Sequence, residues 1–204
     1  MLIDFNKIKE YGITPHGVIH VGMHKAEEYP IYLSGGVTKV IFVEANEELA
    51  NSWIAQIIPC HIVHAAVSDK VEEVTFSITN NGESSSILEL GDHAQIYPSI
   101  VNIKQVKMMT STLDQIIQDV GYPITEFNII NLDIQGAELK AMKGLSDWSH
   151  IEAVFTEVNY REMYKGCALI GEIEEFLSEK GFHKVEEVDT GAGWGDALFI
   201  KYAV

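Results

Sequence analysis

Three polar residues with potential for chemistry follow an apolar run near the middle of the chain. The run 127–132 is typical of a buried strand, and Asp133, Gln135 and Glu138 come directly after it, around Gly136. Ligands of open α/β sheets bind at the carboxyl ends of the strands. A carboxylate at such a position can bind a hydroxyl group or accept its proton. The structural alternative is that Asp133 only caps the helix that follows.

A second acidic residue predicts a bound ribose. Glu44 ends the apolar run 40–43 and stands 22 positions after Gly22. This spacing places a carboxylate to accept hydrogen bonds from ribose hydroxyls, which both nicotinamide dinucleotides and S-adenosylmethionine carry. A dinucleotide fingerprint has three glycines that let the backbone approach a pyrophosphate, whereas residues 23–26 contain no glycine. S-adenosylmethionine has no phosphate, and we therefore favour it over a nicotinamide cofactor.

Strand and helix patterns alternate over most of the chain and indicate an α/β fold. The strand patterns are apolar on both faces, as in a parallel sheet that helices cover. We expect Gly35 and Gly36 to end the first helix and Pro59 to end the second. The predicted strands are 17–22, 40–43, 61–67, 128–132 and 151–156, the predicted helices are 25–33, 47–57, 113–120, 137–143 and 169–179, and 182–188 with 197–202 form a terminal hairpin.

Residues 71–110 interrupt this alternation. Residues 71–78 alternate like a half-exposed strand, 79–86 form a polar loop, and 102–109 are another predicted strand. We interpret 71–110 as a β insertion that covers a substrate. The whole chain, 1–204, is then a single domain.

Composition and charge narrow the classes of partner. The chain has 204 residues, 47% of them apolar, and a formal net charge of −16. Such a charge disfavours nucleic acid and anionic membranes, because their phosphates are bound mainly by Lys and Arg. No apolar run is long enough to cross a bilayer, so we expect no membrane insertion. The two cysteines, Cys60 and Cys167, predict no disulfide framework or zinc cluster, and a cytoplasmic location fits them best.

Several short motifs in fixed order connect the chain to a known family. They are His20–Glu28, Val43–Asn46, Ser84–Ser86, Asn131–Leu139, Thr156–Val158, Tyr164–Gly166 and Trp194–Leu198. With these motifs the chain resembles the FkbM family of S-adenosylmethionine-dependent methyltransferases over about residues 16–202. The most specific element is Asp-x-Gln-Gly-Ala-Glu-Leu, which starts at Asp133.

The resemblance implies both a fold and an activity. The fold would be a Rossmann-like class I methyltransferase, an α/β protein with a seven-stranded, mostly parallel sheet, helices on both faces and a terminal antiparallel hairpin. The activity would be O-methylation of a sugar hydroxyl, for example of rhamnose or fucose in a glycan. The chain departs from the common methyltransferase pattern at His20, where an acidic residue is frequent, and at Met23 and Ala26, which replace small residues or glycine.

Methyl transfer to a hydroxyl requires a base and a cofactor site. Asp133 is the first candidate for the general base, and His24 is the second because the ordinary pKa of histidine suits proton transfer near neutral pH. We expect Glu44 to bind the ribose and Glu28 the amino group of the cofactor. The remaining cofactor candidates are Gly22 beside the carboxypropyl end and, for the adenine at the end of the third predicted strand, Ala66, Val67 and Ser68.

Candidates for binding the acceptor lie in loops and at strand ends. Asp133 and Glu157 could bind sugar hydroxyls together or hold a divalent cation, and we favour the sugar and predict no metal. Aromatic rings suit the apolar faces of a sugar, although packing is the alternative for each ring. The candidates for the acceptor are Gln135, Glu157, Tyr160, Tyr164 and Ser85.

Two other functions compete with methyl transfer. One is a nicotinamide-dependent oxidoreductase, which the missing glycines disfavour. The other is a glycan-binding module without catalysis. For the methyltransferase and for the glycan-binding module, the expected ligand is a carbohydrate or glycoconjugate. The domain could also be fused to, or docked on, a glycosyltransferase.

Overall fold

The computed structural model describes residues 1–54 and 60–201, which form ten strands and six α-helices. The strands are β1 (Gly17–Val21), β2 (Lys39–Glu44), β3 (Cys60–His64), β4 (Ala66–Val67), β5 (Glu73–Thr79), β6 (Asn102–Ser111), β7 (Ile129–Leu132), β8 (Ala153–Asn159), β9 (Phe182–Asp189) and β10 (Trp194–Lys201). The helices are α1 (Tyr29–Gly35), α2 (Glu47–Ile54), α3 (His93–Ile96), α4 (Leu113–Val120), α5 (Glu138–Lys143) and α6 (Ile170–Glu179). None of the helices in these two ranges is long and apolar enough to cross a membrane.

The main sheet has seven strands in the order β3-β2-β1-β7-β8-β10-β9. The first five are parallel, and β10 runs antiparallel to both β8 and β9. This arrangement confirms the predicted fold with its terminal antiparallel hairpin. The strand order reverses between β1 and β7, and such a switch point is where open α/β sheets bind ligands.

Helices cover both faces of this sheet because successive strand residues point to opposite sides. Val18 and Ile19 are neighbours in β1, and both are fully buried, but they belong to different core clusters. The cluster around Ile19 includes α4, α5 and α6, whereas that around Val18 includes α1 and the 3-10 helix Phe5–Tyr11. The strands are apolar on both faces because each face packs against helices.

A smaller sheet, in the order β4-β6-β5, corrects the predicted third strand. That strand was expected over 61–67, but the chain leaves the main sheet after His64. Ala66 and Val67 pair instead with Thr110 and Ser111 of β6. The apolar pattern of 61–67 is continuous, and it does not show that the two halves pair with different strands.

The first helix also differs from its prediction, because it begins at Tyr29 and not at Lys25. His24 and Ala26 have positive φ angles of 48° and 54°, so the chain makes a tight turn before the helix can start. The helix does end at the predicted glycines, with Gly36 in the left-handed conformation. The predicted end of the second helix, at 57–59, and the last hairpin residue, 202, lie outside the described residues.

The turn between β7 and α5 is capped by Glu138 and not by Asp133. Oε1 of Glu138 accepts hydrogen bonds from the backbone N–H groups of Ile134 and Gly136, at 3.0 and 3.1 Å. The helix begins only at Glu138, so Asp133 is too early in the chain to be its N-cap. Burial raises the pKa of Glu138 from 4.5 to about 7 in spite of these two donors.

We expect the change Glu138→Gln to reduce the loss of stability at rising pH. The folded-state pKa of Glu138 lies above its unfolded value, so the folded state binds more protons between pH 4.5 and about 7, and unfolding becomes easier as the pH rises. Glutamine keeps the acceptor oxygen but does not titrate. Urea unfolding at pH 5 and pH 8 should show a smaller decrease in unfolding free energy for this variant than for the wild type.

The exposed Glu175 on α6 provides the matched control. Glu175→Gln should leave the difference in unfolding free energy between the two pH values unchanged. An equal decrease in the wild type and in Glu138→Gln would contradict the shifted pKa.

Candidate active site

Two adjoining cavities lie at the carboxyl edge of the parallel strands. Their volumes are about 510 and about 60 Å³. Gly22, His24 and Asp133 line both of them. The two cavities therefore form one site beside the switch point between β1 and β7.

The smaller cavity contains most of the predicted cofactor residues. Gly22, Glu44, Ala66 and Val67 line it together, although Ala66 and Val67 lie in β4 and not in the main sheet as predicted. Ser68 lines neither of the two cavities; it is buried, and its hydroxyl donates to Asp69. The structure thus brings four of these residues together and leaves Ser68 outside.

Glu44 is buried at the end of β2 and is fixed by backbone donors. Its Oε2 accepts a hydrogen bond from the N–H of His24 at 2.9 Å, and its Oε1 accepts one from the N–H of Asn46 at 2.7 Å. Burial raises the pKa of Glu44, and the backbone donors oppose this rise. A carboxylate has about four acceptor positions, so these two bonds leave room for ribose hydroxyls.

Gly22 allows the turn after β1 to approach β7 closely. Its φ angle is 93°, and a Cβ atom there would lie 1.8 Å from the carbonyl oxygen of Asp133. Every other residue type would collide with this backbone. Gly22, which predicted a cofactor-binding turn, thus also brings this turn into contact with the backbone of Asp133.

The larger cavity is lined by several carboxylates, among them Asp133, directly after β7, and Glu157, in β8. The strand β8 continues to Asn159, so Glu157 does not end it as predicted. The Gln135 side chain lies between them, and its Nε2 donates to Oδ1 of Asp133 at 2.7 Å and to Oε2 of Glu157 at 2.8 Å. Burial raises the pKa of Asp133 and, together with the charges of Asp133 and Glu138, raises that of Glu157 well above its ordinary range. The pair therefore holds protons more readily than exposed carboxylates do.

Glu28 and Asp196, two other carboxylates of the larger cavity, contact the first residues of the chain. The amino group of Met1 lies 3.2 Å from Oε1 of Glu28, and the N–H of Leu2 donates to Oδ2 of Asp196. Burial raises the pKa of Glu28, but His20 and the amino group of Met1 hold it below its ordinary value.

His24, the second candidate for the base, lies on the turn after β1 and lines both cavities. Its Nδ1 contacts Oε1 of Glu27 at 3.0 Å. Its positive φ angle belongs to the same turn that delays the start of α1. The position keeps the His24 side chain within the site, with the exposed Glu27 as its hydrogen-bond partner.

His20 is held in one tautomer by a buried chain of hydrogen bonds. Nδ2 of Asn131 donates to the hydroxyl of Tyr32 at 2.7 Å, so that hydroxyl donates to Nδ1 of His20 at 3.0 Å. Burial lowers the pKa of His20, which favours the neutral ring. We assign its remaining hydrogen to Nε2, so a donor replaces the acidic residue that many methyltransferases have here.

The predicted acceptor-binding residues are only partly brought together. Gln135, Glu157 and Tyr164 line the larger cavity, whereas Ser85 lines the smaller one. Tyr160 lines neither, and its hydroxyl donates to Glu187 at 2.8 Å. Both tyrosines were predicted only as aromatic residues in a loop, so the sequence could not show that Tyr164 lines the cavity and Tyr160 does not.

Among the residues of the larger cavity that were not expected from the sequence are His93, Tyr97 and Asn159. Asn159 is fully buried, and neither atom of its amide has a hydrogen-bond partner among the described residues. It stands two positions after Glu157 in β8, on the same face of the strand, and this spacing was a usable signal. The pair His93 and Tyr97 had no such signal, because α3 is only four residues long.

Aromatic rings form part of the wall of the larger cavity. Trp194 is the partner of Asn159 in the β8–β10 ladder, and its indole N–H donates to the hydroxyl of Tyr97 at 3.1 Å. The rings of His93 and Tyr164 are 5.4 Å apart. In the described ranges, no three His, Cys, Asp or Glu side chains are grouped so that they could hold a metal ion.

Solved structures of methyltransferases share this fold. One is a ribosomal protein L11 methylase from Lactobacillus delbrueckii subsp. bulgaricus, with 14% identity, a TM-score of 0.52, and coverage of 96% of this chain and 75% of that chain. Another is a methyltransferase from Escherichia coli, with 9% identity, a TM-score of 0.50, and coverage of 98% and 84%. At these identities the likeness shows the fold alone. No curated protein matches the chain significantly.

The family comparison is more specific than the structural likeness. The family described as methyltransferase FkbM domain matches residues 20–184, which include the turn after β1, Glu44, Asp133 and Glu157. This family uses S-adenosylmethionine, and the nicotinamide alternative is thereby excluded. The chain belongs to the FkbM family of S-adenosylmethionine-dependent methyltransferases.

Proposed function

We propose that this protein transfers a methyl group to a hydroxyl of a carbohydrate, such as a deoxyhexose of the rhamnose or fucose type, with residues 1–204 acting as a single domain. The observation that carries the proposal is the pair of carboxylates on neighbouring strands, Asp133 and Glu157, in a cavity that adjoins the one containing Glu44. The larger cavity offers a proton acceptor and hydrogen-bonding groups, and the smaller cavity offers a carboxylate for the ribose.

We propose that S-adenosylmethionine binds across both cavities, because the smaller one, at about 60 Å³, has space for only part of it. Glu44 would accept hydrogen bonds from the ribose, Ala66 and Val67 would contact the adenine, and the backbone at Gly22 would border the carboxypropyl end. Glu28, a carboxylate that lines the larger cavity, would bind the amino group. When bound, the cofactor supplies an electrophilic methyl group on a sulfonium.

The protein must then orient the hydroxyl and remove its proton. Asp133 is the proposed general base, because it lies at the border of both cavities. A positioned base contributes a factor of about 10² to 10⁴ in rate. His24 borders the same two cavities and is the second candidate for this step.

Carbohydrate is the proposed acceptor because the larger cavity combines hydrogen-bonding groups with aromatic rings. Glu157 and Asn159 offer polar atoms, and Trp194 and Tyr97 line the same space. Of the predicted acceptor residues, Gln135 and Tyr164 also line the larger cavity, and Ser85 lines the smaller one. Tyr160 lines neither cavity.

The insertion is proposed to cover the acceptor. Asn81, Ser84, His93 and Tyr97 all come from residues 71–110, and all line the larger cavity. Exclusion of water strengthens electrostatic interactions in such a site. The net charge of −16 supports a partner without phosphate chains. A cytoplasmic location and docking on a glycosyltransferase complete the proposal.

Methyl transfer from labelled S-adenosylmethionine to a panel of methyl glycosides tests the function. The expected product is an O-methyl ether, identified by its NMR signals, from a rhamnoside or a fucoside. Transfer only to nitrogen atoms of peptide or RNA would contradict the proposal. Binding of glycosides without binding of the cofactor would support the non-catalytic module instead.

Glu44→Gln should raise the Kd for S-adenosylmethionine about tenfold or more, because hydrogen bonds to a charged acceptor contribute about 1.5–3 kcal/mol. Isothermal titration calorimetry measures this change, and the Tm shows whether the turn stays folded. The exposed Glu47, three positions later, is the control. Equal affinity of Glu44→Gln and Glu47→Gln would remove Glu44 from the ribose site.

Asp133→Asn should lower kcat by about 10² to 10⁴ and leave the Kd of S-adenosylmethionine nearly unchanged. The base must be deprotonated, and its pKa is raised, so wild-type kcat should increase with pH above the ordinary range of an aspartate. Methyl-transfer kinetics from pH 4 to pH 9 measure both effects. Asp119→Asn, at an exposed position of α4, is the control. Full turnover of Asp133→Asn would disprove this role.

A further inference from the structure

We propose that Gln135 is a positioning residue, oriented by the hydroxyl of Tyr164, which fixes Asp133 and Glu157 so that only their remaining oxygens are available to the acceptor. The inference rests on the proposed role of Asp133 as the base. It replaces the direct role in acceptor binding that the sequence suggested for Gln135 and Tyr164.

The hydrogen bonds allow only one orientation of the Gln135 amide. Two carboxylate oxygens lie 2.7 and 2.8 Å from one end of the amide, and this end must be the NH₂ group, because carboxylates accept hydrogen bonds. The amide oxygen then faces Tyr164, whose hydroxyl donates to it at 2.6 Å. A reversed amide would place its oxygen against both carboxylates and lose the two bonds to them, while its NH₂ group would donate to the Tyr164 hydroxyl.

Gln135 has a backbone conformation that glycine adopts at lower cost. Its φ angle is 56°, in the left-handed region, which costs a non-glycine residue about 1–2 kcal/mol. Glycine would avoid this cost, and the next residue is Gly136. The hydroxyl of Ser86, from the insertion, donates to the carbonyl oxygen of Gln135 at 2.8 Å and holds the strained backbone. Strain of this kind is concentrated at functional sites.

The bridge determines which oxygens can react. Both hydrogens of the Gln135 amide are used, one on Oδ1 of Asp133 and one on Oε2 of Glu157. No donor within the described part of the chain bonds Oδ2 of Asp133 or Oε1 of Glu157. A proton held by the pair must therefore reside on one of these two oxygens and not between the bridged ones.

The two carboxylates differ in position, because Asp133 lines both cavities and Glu157 lines only the larger one. Burial and neighbouring charges raise the pKa of Glu157 well above its ordinary range, whereas Asp133 is raised less strongly. Environments that separate two titrating groups assign one as acid and the other as base. Glu157 would hold the proton and donate to an oxygen of the acceptor, and Asp133 would accept the proton of the reacting hydroxyl.

Titration of the two carboxyl groups by ¹³C NMR tests the inference without a known acceptor. Gln135→Leu keeps the same backbone strain but removes the amide, whose bonds favour the charged carboxylates. The half-protonation points of Asp133 and Glu157 should both rise, by about one pH unit or more, since each lost bond is charge-assisted. Tyr164→Phe should shift them in the same direction by less.

Tyr160→Phe is the matched control, because this hydroxyl also bonds a side chain but lies off both cavities. It should leave both titrations unchanged. Unchanged titrations in Gln135→Leu and Tyr164→Phe, in folded proteins with wild-type Tm, would overturn the inference. In methyl-transfer kinetics, the acid limb of kcat should move to higher pH in Gln135→Leu, with the Kd of S-adenosylmethionine within about twofold.

The two proposals fail in different ways. If Asp133→Asn turns over at the wild-type rate, Asp133 is not the base, and the inference falls with the proposed function. If Asp133→Asn is inactive but the NMR titrations do not respond to Gln135→Leu, the proposed function stands and the positioning role is wrong.

Discussion

The contact between the turn after β1 and the end of β7 is the constraint on which the site depends. The N–H of Asp133 donates to the carbonyl of Val21 at 2.9 Å, and a Cβ atom at Gly22 would collide with the Asp133 carbonyl. The strands β1 and β7, which are far apart in sequence, therefore end side by side. One cavity opens on the side of Glu44 and the other on the side of Glu157, and Asp133 borders both.

Burial of several carboxylates in one place has an energetic cost that the local structure offsets. Backbone N–H groups bond Glu44 and Glu138, and the Gln135 amide bonds Asp133 and Glu157. A buried charge without such donors would be strongly destabilising. The same donors hold the carboxylates in fixed positions, so that the groups which stabilise the fold also prepare the site for methyl transfer.

The sequence predicted the main sheet because its strands are apolar on both faces, and it predicted Glu44 and Asp133 because each ends such a strand. It could not predict that Ala66 and Val67 pair with β6, since pairing depends on distant residues. Tyr160 and Tyr164 are the same residue type and lie close together in sequence. Only the folded structure shows that Tyr164 lines the larger cavity and that Tyr160 lines neither cavity. The bridge formed by Gln135 depends on a left-handed backbone that glutamine rarely adopts, so no local pattern indicates it.

A crystal structure with S-adenosylhomocysteine tests the central claim most directly, because it locates the cofactor product relative to both cavities. We expect ribose hydroxyls within hydrogen-bonding distance of Glu44 and a sulfur atom that faces the larger cavity beside Asp133. Density for the ligand away from the smaller cavity, or a Glu44 side chain turned away from the ribose, would contradict it.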